Sequence, residues 1–134
     1  MKKTGTLNPH LSSIIAAMGH TDRLVICDSG LPIPRSGEVV NLALTKNIPT
    51  FLDTVRVVLE ELHVESAIIA EEMEKVNKKT YGELAKLLKG VELKRVSHEE
   101  FKHLTHDGDN IAFVRTGEAT PYANVVLISG VTFD

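Results

Sequence analysis

Four short runs, Arg23-Leu24-Val25-Ile26-Cys27, Ser66-Ala67-Ile68-Ile69-Ala70, Ile111-Ala112-Phe113-Val114-Arg115 and Val125-Val126-Leu127-Ile128-Ser129, are apolar at successive positions rather than at every second one. Side chains alternate across a strand, so runs of this kind must be covered on both faces, as in sheets flanked by helices. The intervening segments can supply the cover. Asn8-Pro9 predicts a helix start, with Asn8 as N-cap and proline at the first helical position; Leu11, Ile14, Ile15 and Met18 follow at helical spacing, and Gly19 is expected as a left-handed stop. Thr50 with Asp53 opens a second helix through Phe51, Val55, Val58, Leu59 and Leu62. Thr80-Tyr81-Gly82-Glu83 reads as the cap of a third carrying Leu84, Leu87 and Leu88, and Ser97-His98-Glu99-Glu100 as a capping box opening a fourth. Residues 38–44 and 92–96 add two strand candidates, and the charged stretch 71–79 reads as a solvated face.

Strands alternating with helices imply an α/β fold. The expectation is a single compact domain over residues 1–134, three-layer α/β/α, with a largely parallel sheet of about six strands that leaves room for a mixed one. With 43% hydrophobic but only 4% aromatic residues, the core has to come from Val, Ile, Leu and Ala, which suits a small α/β sandwich better than an aromatic-rich binding module.

Charge and cysteine usage narrow the function classes. The formal net charge of -3, from 18 acidic and 15 basic residues in mixed order, offers no basic stripe for a phosphate backbone, so no nucleic-acid partner is expected. One cysteine, Cys27, cannot form an internal disulfide, and it falls inside an apolar strand where a buried thiol is inert. Met1-Lys2-Lys3 resembles the basic start of a signal peptide, but Thr4, Gly5, Asn8 and Pro9 interrupt any apolar continuation. With no segment near the ~18 apolar residues of a membrane span, no membrane association is expected and a cytoplasmic location is the default.

Titratable groups bracket the first strand. His20 precedes it and Asp28 follows it, at the rim where open α/β sheets place their ligands. Each residue has a plainer reading: Asp28 as a turn former bonded to the backbone of Ser29-Gly30, His20 as a surface cap meeting the last carbonyls of the preceding helix. A second polar stretch, residues 115–124, joins two apolar strands and includes Tyr122, Ala123 and Asn124. A phenol, an amide donor and an amide acceptor suit a polyhydroxy ligand, whereas a simple hairpin turn needs fewer polar groups. His103 and His106 stand at i,i+3 without a third ligand, so no metal is expected there.

Taken together, Gly19-His20-Thr21-Asp22, Asp28-Ser29-Gly30-Leu31-Pro32-Ile33-Pro34 and Thr116-Gly117-Glu118-Ala119-Thr120-Pro121-Tyr122-Ala123-Asn124 resemble the ribose and fucose mutarotase family. The likeness runs from Lys2-Lys3 to the final strand and is weakest between Glu71 and Lys94; Gly30-Leu31-Pro32-Ile33-Pro34 favours the ribose branch. Departures are mild, with Ser29 where that branch often carries Cys or Ala and Asn41 where it often carries Asp. The resemblance implies interconversion of the pyranose and furanose forms of D-ribose without a cofactor, with His20 as proton donor and Asp28, His98, Tyr122, Ala123 and Asn124 binding the sugar. It also implies a ring-shaped homo-oligomer, a decamer, with sites between adjacent subunits.

The chemistry suits these residues. Ring opening needs a proton delivered to the ring oxygen and one taken from the anomeric hydroxyl, with no redox change, and a positioned histidine is a good acid near neutral pH. The helix dipole favours a charged imidazole at His20, beyond a helix C-terminus, over His98 in a first helical turn. At ~3.3 Å per residue, however, a strand holds His20 and Asp28 more than about 10 Å apart if they lie at its two ends. Either the chain folds back at Thr21-Asp22, or His20 of one subunit meets Asp28 of the next, and the interfacial site implied by the resemblance favours the second arrangement. The competing readings are a sugar-binding or transport-accessory module without catalysis, an assembly protein whose polar turns are subunit contacts, and a mutarotase for another sugar such as L-fucose.

Overall fold

The computed structural model describes residues 1–134. Helix α1 (Pro9–Ala17) starts where proline and Asn8 predict, the Asn8 side chain accepting the Leu11 N–H at 2.9 Å. It delivers the chain to β1 (Arg23–Cys27), followed by β2 (Glu38–Asn41), α2 (Phe51–Leu59), β3 (Val64–Ala70), α3 (Glu71–Val76), α4 (Lys78–Leu87), β4 (Glu92–Val96), α5 (His98–Thr105), β5 (Ile111–Arg115) and β6 (Val125–Ser129). One sheet takes all the strands in the order β2-β5-β1-β6-β3-β4. β1 pairs in parallel with β5, β5 with β2, and β3 with β4, while β6 runs antiparallel to both of its neighbours, β1 and β3. The sheet is therefore mixed through a single reversed strand.

That reversal has a consequence for function. β5 and β6 flank β1, so residues 116–124 are not a hairpin turn; they cross over the C-terminal end of β1 to enter β6. The carboxyl ends of β1, β3, β4 and β5 share one edge of the sheet, where α/β folds collect their ligands.

The apolar runs are buried on both faces, as their composition requires. Leu24 and Ile26 join a large core with Phe51, Val55 and Val58 of α2, Leu11 and Ile14 of α1, Met73 of α3 and Leu84 of α4. Val25 and Cys27 face the other way, into a small core with Leu31, Phe101 of α5, Phe113 and Val126. The three layers are thus unequal, with α1 to α4 on one face and α5 with the 28–34 segment on the other.

Several sequence expectations need correction. Gly19 is not the left-handed stop: α1 ends in an extended Met18, the Asp22 carboxylate accepts the Gly19 N–H at 2.8 Å, and the left-handed residue is Thr21, with φ 69°. The 71–79 stretch is not simply a solvated face, because α3 buries Met73 beneath its charged residues. Thr80-Tyr81-Gly82-Glu83 lies inside α4, which begins at Lys78, so these residues cap nothing. Strand β2 stops at Asn41 rather than continuing to 44, because the Asn41 side chain accepts the Ala43 N–H and turns the chain away. The capping predictions at Thr50 and Ser97 hold, each side chain accepting the N–H three residues on.

Candidate active site

Asp28 emerges from β1 beneath the 116–124 crossover, and the two are stitched together. The Asn124 side chain accepts the Asp28 N–H through Oδ1 at 2.8 Å and donates through Nδ2 to Asp28 Oδ2 at 3.2 Å. Asp28 Oδ1 accepts the Gly30 N–H at 2.9 Å, so the plain turn-forming role and a place in the site coexist. Burial pushes the Asp28 carboxyl above its ordinary value, opposed by the Gly30 N–H, the Asn124 amide, the Leu31 N–H and the charge of His98. Asn124 is buried, with both functions of its amide spent on Asp28.

The crossover is anchored along its length. Thr116 donates both N–H and hydroxyl to the Cys27 carbonyl, at 3.1 and 2.7 Å. Gly117 presses against the loop before α2 so closely that a Cβ there would overlap the carbonyl oxygens of Thr45 and Ile48, which makes glycine a requirement. Tyr122 adopts a left-handed backbone, φ 64°, uncommon for a bulky residue and tolerated here because both flanks of the segment are fixed. Its ring meets that of His98 edge to face, with centroids 5.0 Å apart.

His98 arrives from the other side of the cleft, at the first position of α5. Its N–H is accepted by both oxygens of Glu72 on α3, at 3.0 and 3.1 Å, which fixes the helix start and the imidazole it carries. Its Nδ1 is buried and has no hydrogen-bond partner in the protein. Buried polar atoms are rarely left unpaired, so this nitrogen is suited to a ligand hydroxyl.

Asp28, Ser29, His98, Glu118, Thr120 and Tyr122 line a cavity of about 410 Å³. That volume falls in the range of small-molecule sites. The sequence-derived candidates Asp28, His98, Tyr122, Ala123 and Asn124 are thereby brought to one place, Tyr122 directly and Ala123 and Asn124 as its buried support. His20 is not among them. It sits before β1, at the opposite edge of the sheet, where its Nε2 lies 3.0 Å from Glu65 Oε2 at the start of β3. The chain does not fold back at Thr21-Asp22; the left-handed Thr21 instead sends its N–H to the Ser129 carbonyl and the strand runs straight on.

Sequence reasoning missed Glu72, hidden in a charged run, and Arg115, whose Nε and Nη2 both donate to the Ser29 carbonyl while Nη1 donates to Asn41 Oδ1. Ser29 and Asn41 thus share one guanidinium. Cys27 is buried as expected: burial, then the neighbouring Asp28 charge, push its thiol up to about 12 against the pull of Arg115. The residues His103 and His106 form no metal-binding group, and His106 Nδ1 instead meets the Lys102 carbonyl at 2.8 Å.

Known proteins share this fold. The match to the RbsD / FucU transport protein family covers residues 1–132. The chain belongs to that family. It is 56% identical over 133 residues to a D-ribose pyranase of Coprothermobacter proteolyticus, covering 99% of this chain and all of that one. A D-ribose pyranase of Pectobacterium atrosepticum is 51% identical over 141 residues, with the same coverage. Among solved structures, Bacillus subtilis RbsD complexed with D-ribose superposes with a TM-score of 0.93 at 47% identity, over 99% of this chain and 100% of the other. The fucose mutarotase of Streptococcus pneumoniae in complex with L-fucose, at 20% identity and a TM-score of 0.82, over 99% of this chain and 100% of that one, shares the fold.

Proposed function

We propose that this chain is a D-ribose pyranase, a cofactor-independent isomerase that interconverts the pyranose and furanose forms of D-ribose and supplies furanose for phosphorylation. The observation that carries the reading is the cavity at the carboxyl edge of the sheet, where Asp28, His98 and Tyr122 converge in a chain 47% identical to a protein solved with D-ribose.

In this reading the sugar lies in the cavity with its hydroxyls on Asp28 and His98 and an apolar face against Tyr122; Ala123 and Asn124 hold the segment in place. His20 donates a proton to the ring oxygen while water takes the proton of the anomeric hydroxyl, and the C1–ring-oxygen bond breaks to give the open-chain aldehyde. On reclosure the neighbouring hydroxyl attacks C1, its proton returns to His20, and the carbonyl oxygen regains a proton from water, which gives the furanose. Positioned acid-base groups of this kind supply about 10²- to 10⁴-fold each.

His20 and the cavity occupy opposite edges of one sheet, so the reading requires that His20 serve the cavity of an adjacent subunit. A ring-shaped homo-oligomer, a decamer, provides such neighbours in closed symmetry. The location proposed is the cytoplasm; no helix is long and apolar enough to cross a membrane.

Saturation-transfer NMR on a panel of aldoses tests the function. Accelerated pyranose–furanose exchange with D-ribose and little with L-fucose is the expected result, and absence of acceleration with D-ribose contradicts it. The distance of His20 from the cavity within one chain favours one alternative, a module that retains sugar without converting it. Saturable binding without accelerated exchange in the same experiment selects that alternative.

A further inference from the structure

Resting on the reading of the cavity as a sugar site, we propose that Thr120 is an additional sugar contact, an obligate acceptor for one ribose hydroxyl, and that Glu118 is the positioning residue that makes it so. A threonine hydroxyl carries one proton and two lone pairs, and it ordinarily rotates to donate or accept as its surroundings demand. Here the choice is removed. Thr120 Oγ1 donates to Glu118 Oε2 at 2.5 Å, the length of a charge-assisted O–H···O bond, and a carboxylate can only accept.

Glu118 cannot swing away to release that proton. Its Oε1 accepts the Phe51 N–H at the start of α2 at 2.9 Å, and its own N–H donates to Thr116 Oγ1 at 3.1 Å. Its carbonyl accepts the N–H and the hydroxyl of Ser29, both at 3.0 Å. One residue therefore joins α2, the crossover and the Asp28 turn. Thr120 lines the same cavity as Asp28, His98 and Tyr122, and with its proton committed its oxygen offers lone pairs alone. Such a group rewards a sugar hydroxyl pointing its proton at it, and it rejects an analogue that lacks that hydroxyl by leaving nothing to donate.

Isothermal titration calorimetry of the full-length assembled protein tests this with D-ribose and with the monodeoxy analogues of D-ribopyranose, each lacking one hydroxyl. Thr120→Val is expected to weaken D-ribose binding by roughly 3- to 10-fold, the worth of one neutral hydrogen bond, and Thr120→Ser to restore it. For one deoxy sugar the wild type and Thr120→Val should bind equally, because the hydroxyl that Thr120 recognises is already gone. A merely structural role would weaken all the sugars alike, and that result overturns the proposal. Glu118→Gln supplies a second arm that does not depend on valine folding well. Its amide oxygen keeps the Phe51 N–H and its NH₂ group turns toward Thr120, which must then accept and present its proton to the cavity. Ribose affinity should fall by a similar factor, and wild-type affinity in Glu118→Gln likewise overturns the proposal. A wild-type protein that binds no ribose would instead refute the sugar-site reading itself, a result distinct from both.

Discussion

The two ends of β1 are built on opposite plans. At the carboxyl end, Asp28 is held by the Asn124 amide, the Gly30 N–H and a crossover whose every turn is anchored, and the groups there are buried or half-buried. At the amino end, His20 has one polar partner, Glu65, and the two side chains are 52% and 42% exposed. A site that must hold a sugar in one pose needs the first kind of construction. In the proposed reading His20 serves a neighbouring subunit, and such a group needs the second, because it has to remain accessible until that subunit covers it. The contrast teaches that the two ends of one strand can hold their polar groups with very different firmness, and it can be broken by substitution at either end.

The largest effect is expected at the exposed end. His20→Ala should lower ribose exchange by about 10²- to 10⁴-fold while leaving the urea midpoint nearly unchanged. Loss of fold in that variant would show that the exposed end is structural after all. Asn124→Ala should act in the opposite way, costing about 1–3 kcal/mol in urea denaturation because the Asp28 N–H and carboxylate lose buried partners, with ribose affinity falling as well. Unchanged stability there would contradict the account of the carboxyl end. Glu65→Gln, by contrast, should change stability by no more than about 1 kcal/mol, since polar contacts between exposed side chains contribute little.

The smallest effect sharpens the comparison through pH. Burial raises the Asp28 carboxyl in the folded state, so the folded protein holds that proton more tightly than the unfolded chain does. The stability it contributes is present at low pH and declines as pH rises from about 3.9, the ordinary value, through the raised folded value. Measured against Asp28→Asn, which does not titrate, wild-type folding free energy should therefore fall across that window. A difference independent of pH would mean that Asp28 is not perturbed.

Much of this was legible in the chain. Runs apolar at successive positions required cover on both faces, and Asn8, Thr50 and Ser97 marked three helix starts by side-chain chemistry that the backbone then used. Two things were not. The reversal of β6 is a matter of strand order, which no local pattern encodes, and it converts an apparent turn into the crossover that closes the cavity. Glu72 was also invisible, because a carboxylate capping a helix far along the chain looks in sequence like any other member of a charged run. The candidates Asp28, His98 and Tyr122 were found by resemblance and residue chemistry, and their convergence belongs to the fold. His20 was found in the same way, and the fold leaves it at the other edge of the sheet.

That separation makes the central claim testable in one experiment. His20→Ala and Asp28→Ala proteins, each inactive alone, are unfolded together, reassembled in equal amounts and assayed for ribose exchange. If His20 of one subunit completes the cavity of the next, about a quarter of the sites in the mixed assembly combine an intact His20 with an intact Asp28, and activity returns to that extent. If both groups had to come from one chain, every site in the mixture would remain defective. Activity that stays at the level of the separate variants, in a mixture shown to contain mixed assemblies, would contradict the account.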